Sequence, residues 1–114
     1  MSRIPTHVLD VSLGKPAKDV SVRLERREHS GDWVVLFSSR TGDDGRCAQL
    51  LPATETLSAG VYRLNFDTAS YFYAQEIATL YPLIEVAFQV LDGESEFHIP
   101  LLLSPHGYTT YRGS

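Results

Sequence analysis

Phe97-His98-Ile99-Pro100-Leu101-Leu102-Leu103-Ser104, followed by Pro105-His106-Gly107 and Tyr108-Thr109-Thr110-Tyr111, is the stretch that decides the fold. Its first part, read as a strand over Glu96–Ser104, puts Phe97, Ile99, Leu101 and Leu103 on one face and His98, Pro100 and Leu102 on the other. Both faces are apolar apart from His98, and a strand of that kind is covered on both sides. One face can fill a core. The other needs a cover from outside the sheet, and a second subunit supplies it most simply. Ser104-Pro105-His106-Gly107 turns the chain into a last strand, Tyr108–Tyr111, whose alternation groups Thr109, Tyr111 and Gly113.

Similar short segments fill the rest of the chain. Thr6–Val11 places His7, Leu9 and Val11 together, opposite Thr6, Val8 and Asp10. Gly14-Lys15-Pro16 reads as a loop. Val20–Arg26 directs Val20, Val22 and Leu24 inward and Ser21, Arg23 and Glu25 outward. The turn His29-Ser30-Gly31-Asp32 leads to a strand at Trp33–Ser38, and the polar turn Thr41-Gly42-Asp43-Asp44-Gly45 delivers Arg46 at its exit. Val61–Asp67 alternates cleanly, with Tyr62, Leu64 and Phe66 against Val61, Arg63 and Asn65. A short helix follows, with Ser70 as its N-cap, and ends before Pro82; Ile84–Val90 is another strand. Seven to eight short strands with one short helix predict an all-β antiparallel β-sandwich, and with no repeat or linker the expectation is a single domain over residues 1–114.

Composition narrows the function. Apolar residues make up 43% of 114, enough for one core and an interface. A net charge of −4 argues against nucleic acid or an anionic membrane as partner. Cys47 is the only cysteine, so no disulfide can form within the chain. The first residues lack the apolar stretch of a signal peptide, no run approaches the roughly 20 apolar residues that cross a bilayer, and the final Arg-Gly-Ser is no peroxisomal address. The expected localisation is cytoplasmic. There is no Gly-rich phosphate loop, no Cys-x-x-Cys and no His-Glu-x-x-His, and the four histidines lack local zinc spacing.

The candidates for chemistry are few. Imidazole exchanges protons near neutral pH, so His98 on an interface-directed face is a candidate general base; the competing reading is a hydrogen-bonded structural histidine. His7 taken alone reads as a partly exposed strand residue, Arg46 as a solvated turn residue, and Asp43 and Asp44 as turn formers. The C-terminal stretch is unusual because Tyr108, Tyr111 and Arg112 crowd a region that is ordinarily small or polar. Tyr111 offers a hydroxyl and a π-face, and Arg112 a planar fork for carboxylate or urea-like oxygens. A closing edge strand packed on the core explains the same residues.

Three motifs carry a family resemblance: T-H-V-L-D-V-S-L-G-K-P-A at the start, D-D-G-R in the turn, and H-I-P-L-L-L-S-P-H-G-Y-T-T-Y-R-G-S at the end. Together they resemble the 5-hydroxyisourate hydrolases, the enzymatic relatives of transthyretin, over His7 to Ser114. The terminal Tyr-Arg-Gly-Ser is what separates the hydrolases from transthyretin. The resemblance implies a transthyretin-like (prealbumin-like) sandwich and a homotetramer, a dimer of dimers with sites where two dimers meet. It implies His7, Arg46 and His98 as catalytic residues, and His7, Arg46, Tyr111, Arg112, Gly113 and Ser114 as substrate-binding residues. His29 and His106 lie outside the pattern and keep a structural reading. The implied reaction opens the six-membered ring of 5-hydroxyisourate at a cyclic amide, giving 2-oxo-4-hydroxy-4-carboxy-5-ureidoimidazoline, with no metal or organic cofactor. Which histidine is the base stays open. Two other readings compete: a carrier that binds an apolar ligand in the same channel, and a sandwich module that only docks a partner. Basic groups in the channel make a poor seat for an apolar ligand, which disfavours the carrier.

Overall fold

The computed structural model describes residues 4–47, 57–94 and 96–113. Among them lie strands β1 (Thr6–Asp10), β2 (Lys15–Pro16), β3 (Ser21–Arg27), β4 (Trp33–Arg40), β5 (Arg46–Cys47) and β6 (Gly60–Asp67), helix α1 (Thr68–Tyr73), and strands β7 (Ile84–Val90), β8 (Ile99–Ser104) and β9 (Gly107–Thr110). They form two sheets. One has the order β2-β1-β8-β9, with β5 also pairing β1; the other runs β4-β3-β6-β7.

The alternation read from the sequence is the burial pattern of the structure. Val22 and Leu24 of β3, Tyr62, Leu64 and Phe66 of β6, and Ile99, Leu101 and Leu103 of β8 all point into the core between the sheets. They meet Val8 of β1, Ile84 and Val90 of β7, and Phe72 of α1. Apolar area removed from water contributes about 25 cal/mol per Å², so these inward rows supply most of the cohesion between the sheets.

Four local expectations change. Lys15–Pro16 and Arg46–Cys47 are short strands rather than loop and turn exit, because β1 has a free edge that both can pair with. β1 runs parallel to β8, so the sandwich is not wholly antiparallel. The two strands are far apart in sequence, and no local signal fixes the sense of such a pair. The helix N-cap is Asp67, not Ser70: the Asp67 carboxylate accepts from the Ser70 N–H and hydroxyl. Regular pairing in the penultimate strand begins at Ile99, and His98 joins through a single bridge to Gly113.

One buried acid ties helix to sheet. Asp10 has no exposed surface, and its carboxylate accepts from the Ser12 N–H and hydroxyl, from the Leu13 N–H and, at 2.7 Å, from the Tyr71 hydroxyl of α1. Such satisfaction is what a buried carboxylate requires. Burial, and then the bond to Asp10, pushes the Tyr71 phenol up to about 12. No helix of the described residues is long and apolar enough to cross a membrane.

Candidate active site

Register assembles the site. His7 lies opposite Arg46 in the β1–β5 ladder and opposite Pro100 in the β1–β8 ladder. The pairs Leu101–Thr110 and His98–Gly113 bracket the β8–β9 register and set Tyr111 opposite Pro100. Directly paired residues project to the same face of a sheet. One row therefore reads Arg46, His7, Pro100, Tyr111 across four chain segments. His98 stands two residues from Pro100 on that face, about 8 Å from His7 between Cα atoms by strand spacing and rise. Thr6, Val8, Ile99 and Leu101 face the core, so this row is on the outside of the sandwich. The face continues through Leu9 and Leu102 to Val11, which is 56% exposed.

Each side chain has a local reason for its place. Arg46 follows a turn in which the Gly42 N–H donates to the Arg46 carbonyl at 3.0 Å and the Gly45 N–H to the Gly42 carbonyl at 2.9 Å. Gly45 has φ +75, and a Cβ there would collide with the Val8 carbonyl, so only glycine lets this turn seat against β1. His7 Nε2 is 3.0 Å from the Asp44 carbonyl. A carbonyl only accepts, so Nε2 carries the proton and a neutral His7 presents a free Nδ1 lone pair. Arg46 Nε lies 3.9 Å from the Asp44 carboxylate, an open pairing with both side chains mostly exposed.

His98 is half-buried, and among the described residues its ring makes no hydrogen bond. It is held by packing. The Gly113 N–H donates to the His98 carbonyl at 2.7 Å, and a Cβ on Gly113 would stand 2.5 Å from His98 Nδ1 and 3.0 Å from Cγ. The imidazole thus lies on the bare Cα of Gly113. Its Nδ1 edge faces the tail and its Nε2 edge faces away. This gives Gly113 a role in seating the ring, which the motif by itself does not disclose.

The structure gathers His7, Arg46, His98 and Gly113, and sets Tyr111 in register with them. Arg112 is not brought to that face. It falls on the opposite parity of the strand, where both terminal nitrogens bond Glu94 at 3.3 Å and the guanidinium lies 4.6 Å over the Phe97 ring. With Val86, Phe88, Phe97, Ile99 and the adjoining Tyr111 it borders an apolar gap of about 180 Å³ at the sandwich edge. Ser114 lies outside the described residues. His29 and His106 sit exposed on separate turns, in keeping with a structural reading. Among the described residues no cluster of three or more His, Cys, Asp or Glu side chains could hold a metal ion. Sequence reasoning missed Asp44, whose backbone oxygen holds His7. No residue-type pattern marks a carbonyl, though an Asp-Gly turn opposite a strand histidine is the signal that points there.

Residues 4–113 match the model of the HIUase/Transthyretin family. The chain is 44% identical to mouse 5-hydroxyisourate hydrolase, over 99% of this chain and 96% of that protein. It superimposes on the 5-hydroxyisourate hydrolase of Klebsiella pneumoniae with TM-score 0.86 and 35% identity, covering all of both chains. It also superimposes on sea bream transthyretin in complex with thyroxine, with TM-score 0.90 and 29% identity over 97% of this chain and 94% of that one. Backbone likeness therefore does not separate enzyme from carrier, and the side chains of the outer face must. On fold and sequence together, the chain belongs to the HIUase/Transthyretin family.

Proposed function

We propose that this chain is a 5-hydroxyisourate hydrolase of urate degradation. The observation that carries the reading is the row Arg46, His7, Pro100, Tyr111 with His98 beside it, on an outward face that the core does not need. Two imidazoles and a guanidinium there suit a flat, oxygen-rich ring and oppose an apolar ligand.

The chemistry follows from the groups. His98, free of side-chain hydrogen bonds among the described residues, takes a proton from water through Nε2 as the water oxygen bonds to a ring carbonyl carbon. Negative charge develops on the carbonyl oxygen, and Arg46 supplies paired donors that stay charged at any working pH. The ring C–N bond then breaks, the nitrogen leaves with a proton, and the product carries a new carboxylate. His7, with Nε2–H on the Asp44 carbonyl, offers Nδ1 to orient the water or relay that proton. Tyr111 packs on or bonds the ring. Arg112 is assigned to bracing the tail through Glu94, since reaching the ring would mean giving up that pair and the Phe97 stack.

The same face argues for assembly. Val11 and Leu13 are more than half exposed, and Leu9 and Leu102 are half-buried on the face of His7. A contiguous exposed apolar surface around polar groups marks a subunit interface. A homotetramer, a dimer of dimers closing on this face, would cover it and shut the cleft from bulk water. Cys47 is buried and free, and burial raises its thiol, which suits a cytoplasmic setting.

The test is to generate 5-hydroxyisourate fresh from urate and follow its ultraviolet decay with and without the protein. A hydrolase accelerates decay in proportion to protein concentration. Decay at the spontaneous rate, with saturable thyroxine binding instead, would make the chain a carrier.

A further inference from the structure

We propose that Asp44 is the positioning residue of this face, aiming His7 and Arg46 together through three oxygens of one residue. The proposal rests on the reading of the outer face as the hydrolytic site. The main-chain oxygen of Asp44 accepts from His7 Nε2 at 3.0 Å. Its Oδ1 accepts from the Arg46 N–H at 3.0 Å, and its Oδ2 lies 3.9 Å from Arg46 Nε. The two side chains so held are the two that face each other across the β1–β5 ladder.

The turn can act as a positioning device because it cannot drift. The Val8 N–H donates to the Gly45 carbonyl at 2.8 Å, and the close seat of Gly45 on β1 leaves no room for a slipped register. Within it, the bond from Arg46 N–H to Oδ1 is an Asx-type cap, which sets the plane of the residue carrying the carbonyl aimed at His7. Removing the cap frees that carbonyl to tilt. His7 then loses the partner that keeps its proton on Nε2, and the Nδ1–H tautomer becomes available. In that tautomer the lone pair no longer sits on Nδ1, where water or substrate meets it. The carboxylate acts separately, limiting the sweep of the Arg46 guanidinium. The side chain thus has two separable duties: the cap governs His7, and the charge governs Arg46.

Asparagine keeps the cap and drops the charge, whereas alanine drops both. Nitrogen-15 NMR of the imidazoles, read without substrate above the histidine titration range, reports the tautomer. In the wild-type protein His7 should be the Nε2–H form. Asp44→Asn should keep that form and most of kcat, with KM raised severalfold through Arg46. Asp44→Ala should show a mixture of tautomers and a kcat lower by about 10- to 100-fold, the scale of loss from a small misplacement of a reacting group, with thermal melting still cooperative. A wild-type His7 in the Nδ1–H form overturns the proposal. So does Asp44→Ala with unchanged tautomer and turnover, or Asp44→Asn falling as far in kcat as Asp44→Ala. The tautomer is read without turnover, so a wild-type protein that fails to hydrolyse 5-hydroxyisourate defeats the functional reading and leaves this result separately legible.

Discussion

The two outer faces of the sandwich carry similar residue types and put them to opposite uses. On the β3–β6–β7 face, Glu25 is 5% exposed and its Oε1 accepts from Arg63 Nε at 2.7 Å and from the Asn65 amide. Arg23 closes on its other oxygen, Arg63 also reaches Glu85 at 3.2 Å, and the same guanidinium stacks 4.1 Å over Trp33. Arg23 and Arg63 both close on the Glu25 carboxylate. On the β1–β8–β9 face, His98 has no hydrogen-bond partner among the described residues, and Arg46 stands at arm's length from Asp44. The first face is a closed network that braces a sheet. The second leaves the His98 ring, the His7 Nδ1 and most of the Arg46 fork without partners among the described residues, which is what a site for an outside molecule requires. A count of arginines and histidines would not tell the two apart; their partners do.

The comparison breaks first at Arg63. Arg63→Ala should destabilise the fold by about 2 kcal/mol, because it removes the closest charged donor to a buried carboxylate that keeps only Asn65 and Arg23, while turnover per folded molecule stays at the wild-type value. Chemical denaturation and an activity assay below the melting range read the two separately. Next comes Arg46→Lys, which keeps the charge but loses the planar fork. It should lower kcat/KM by about 10- to 100-fold, the scale of a lost charge-assisted hydrogen bond, and leave the melting temperature unchanged. An equal loss of stability would show that Arg46 belongs to the bracing kind.

Smaller effects sharpen the picture of what is structural. Tyr71→Phe removes one of the donors to buried Asp10 and should cost about 1.5 kcal/mol. Because the folded phenol sits at about 12, above its unfolded value of 10.0, the stability this residue adds is full below pH 10 and fades as pH rises towards 12. The Tyr71→Phe variant should lack that alkaline loss in urea titrations.

Glu25 works at the acid end. Burial alone would raise its carboxyl, but hydrogen bonds from Arg63 and Asn65 and the charges of Arg63 and Arg23 reverse that and leave it below 4.5. A lowered carboxyl stabilises above its unfolded value and loses the contribution as pH falls through the folded one. The stability gap between wild type and Glu25→Gln should therefore be widest above pH 5 and narrow below pH 4. A gap that does not change with pH would mean the network works through shape alone.

Much of this was legible in the residues. The alternation of Val61–Asp67 sets which side chains enter the core, since a period of two leaves no other choice once one face is apolar, and in Phe97–Leu103 the lone histidine marks the row that stays out. Alternation also set His7 beside Leu9 and Val11 and His98 beside Pro100 and Leu102, each within its own strand. What the chain did not disclose has a common cause: it depends on which distant segments meet. The parallel sense of β1 against β8, the pairing of β5 with β1, and the capture of Arg112 by Glu94 each join segments brought together only by the fold. The motif tail implies that Arg112 serves the ring; in this structure its guanidinium pairs with Glu94.

The turnover of His98→Ala tests the central claim most directly, measured on freshly formed 5-hydroxyisourate beside wild type with matched melting curves. Loss of a general base should slow kcat by about 10²- to 10⁴-fold while the fold and the assembly persist. A His98→Ala protein that opens the ring at the wild-type rate would remove the imidazole from the chemistry, and with it the outer face of β8 from the active site.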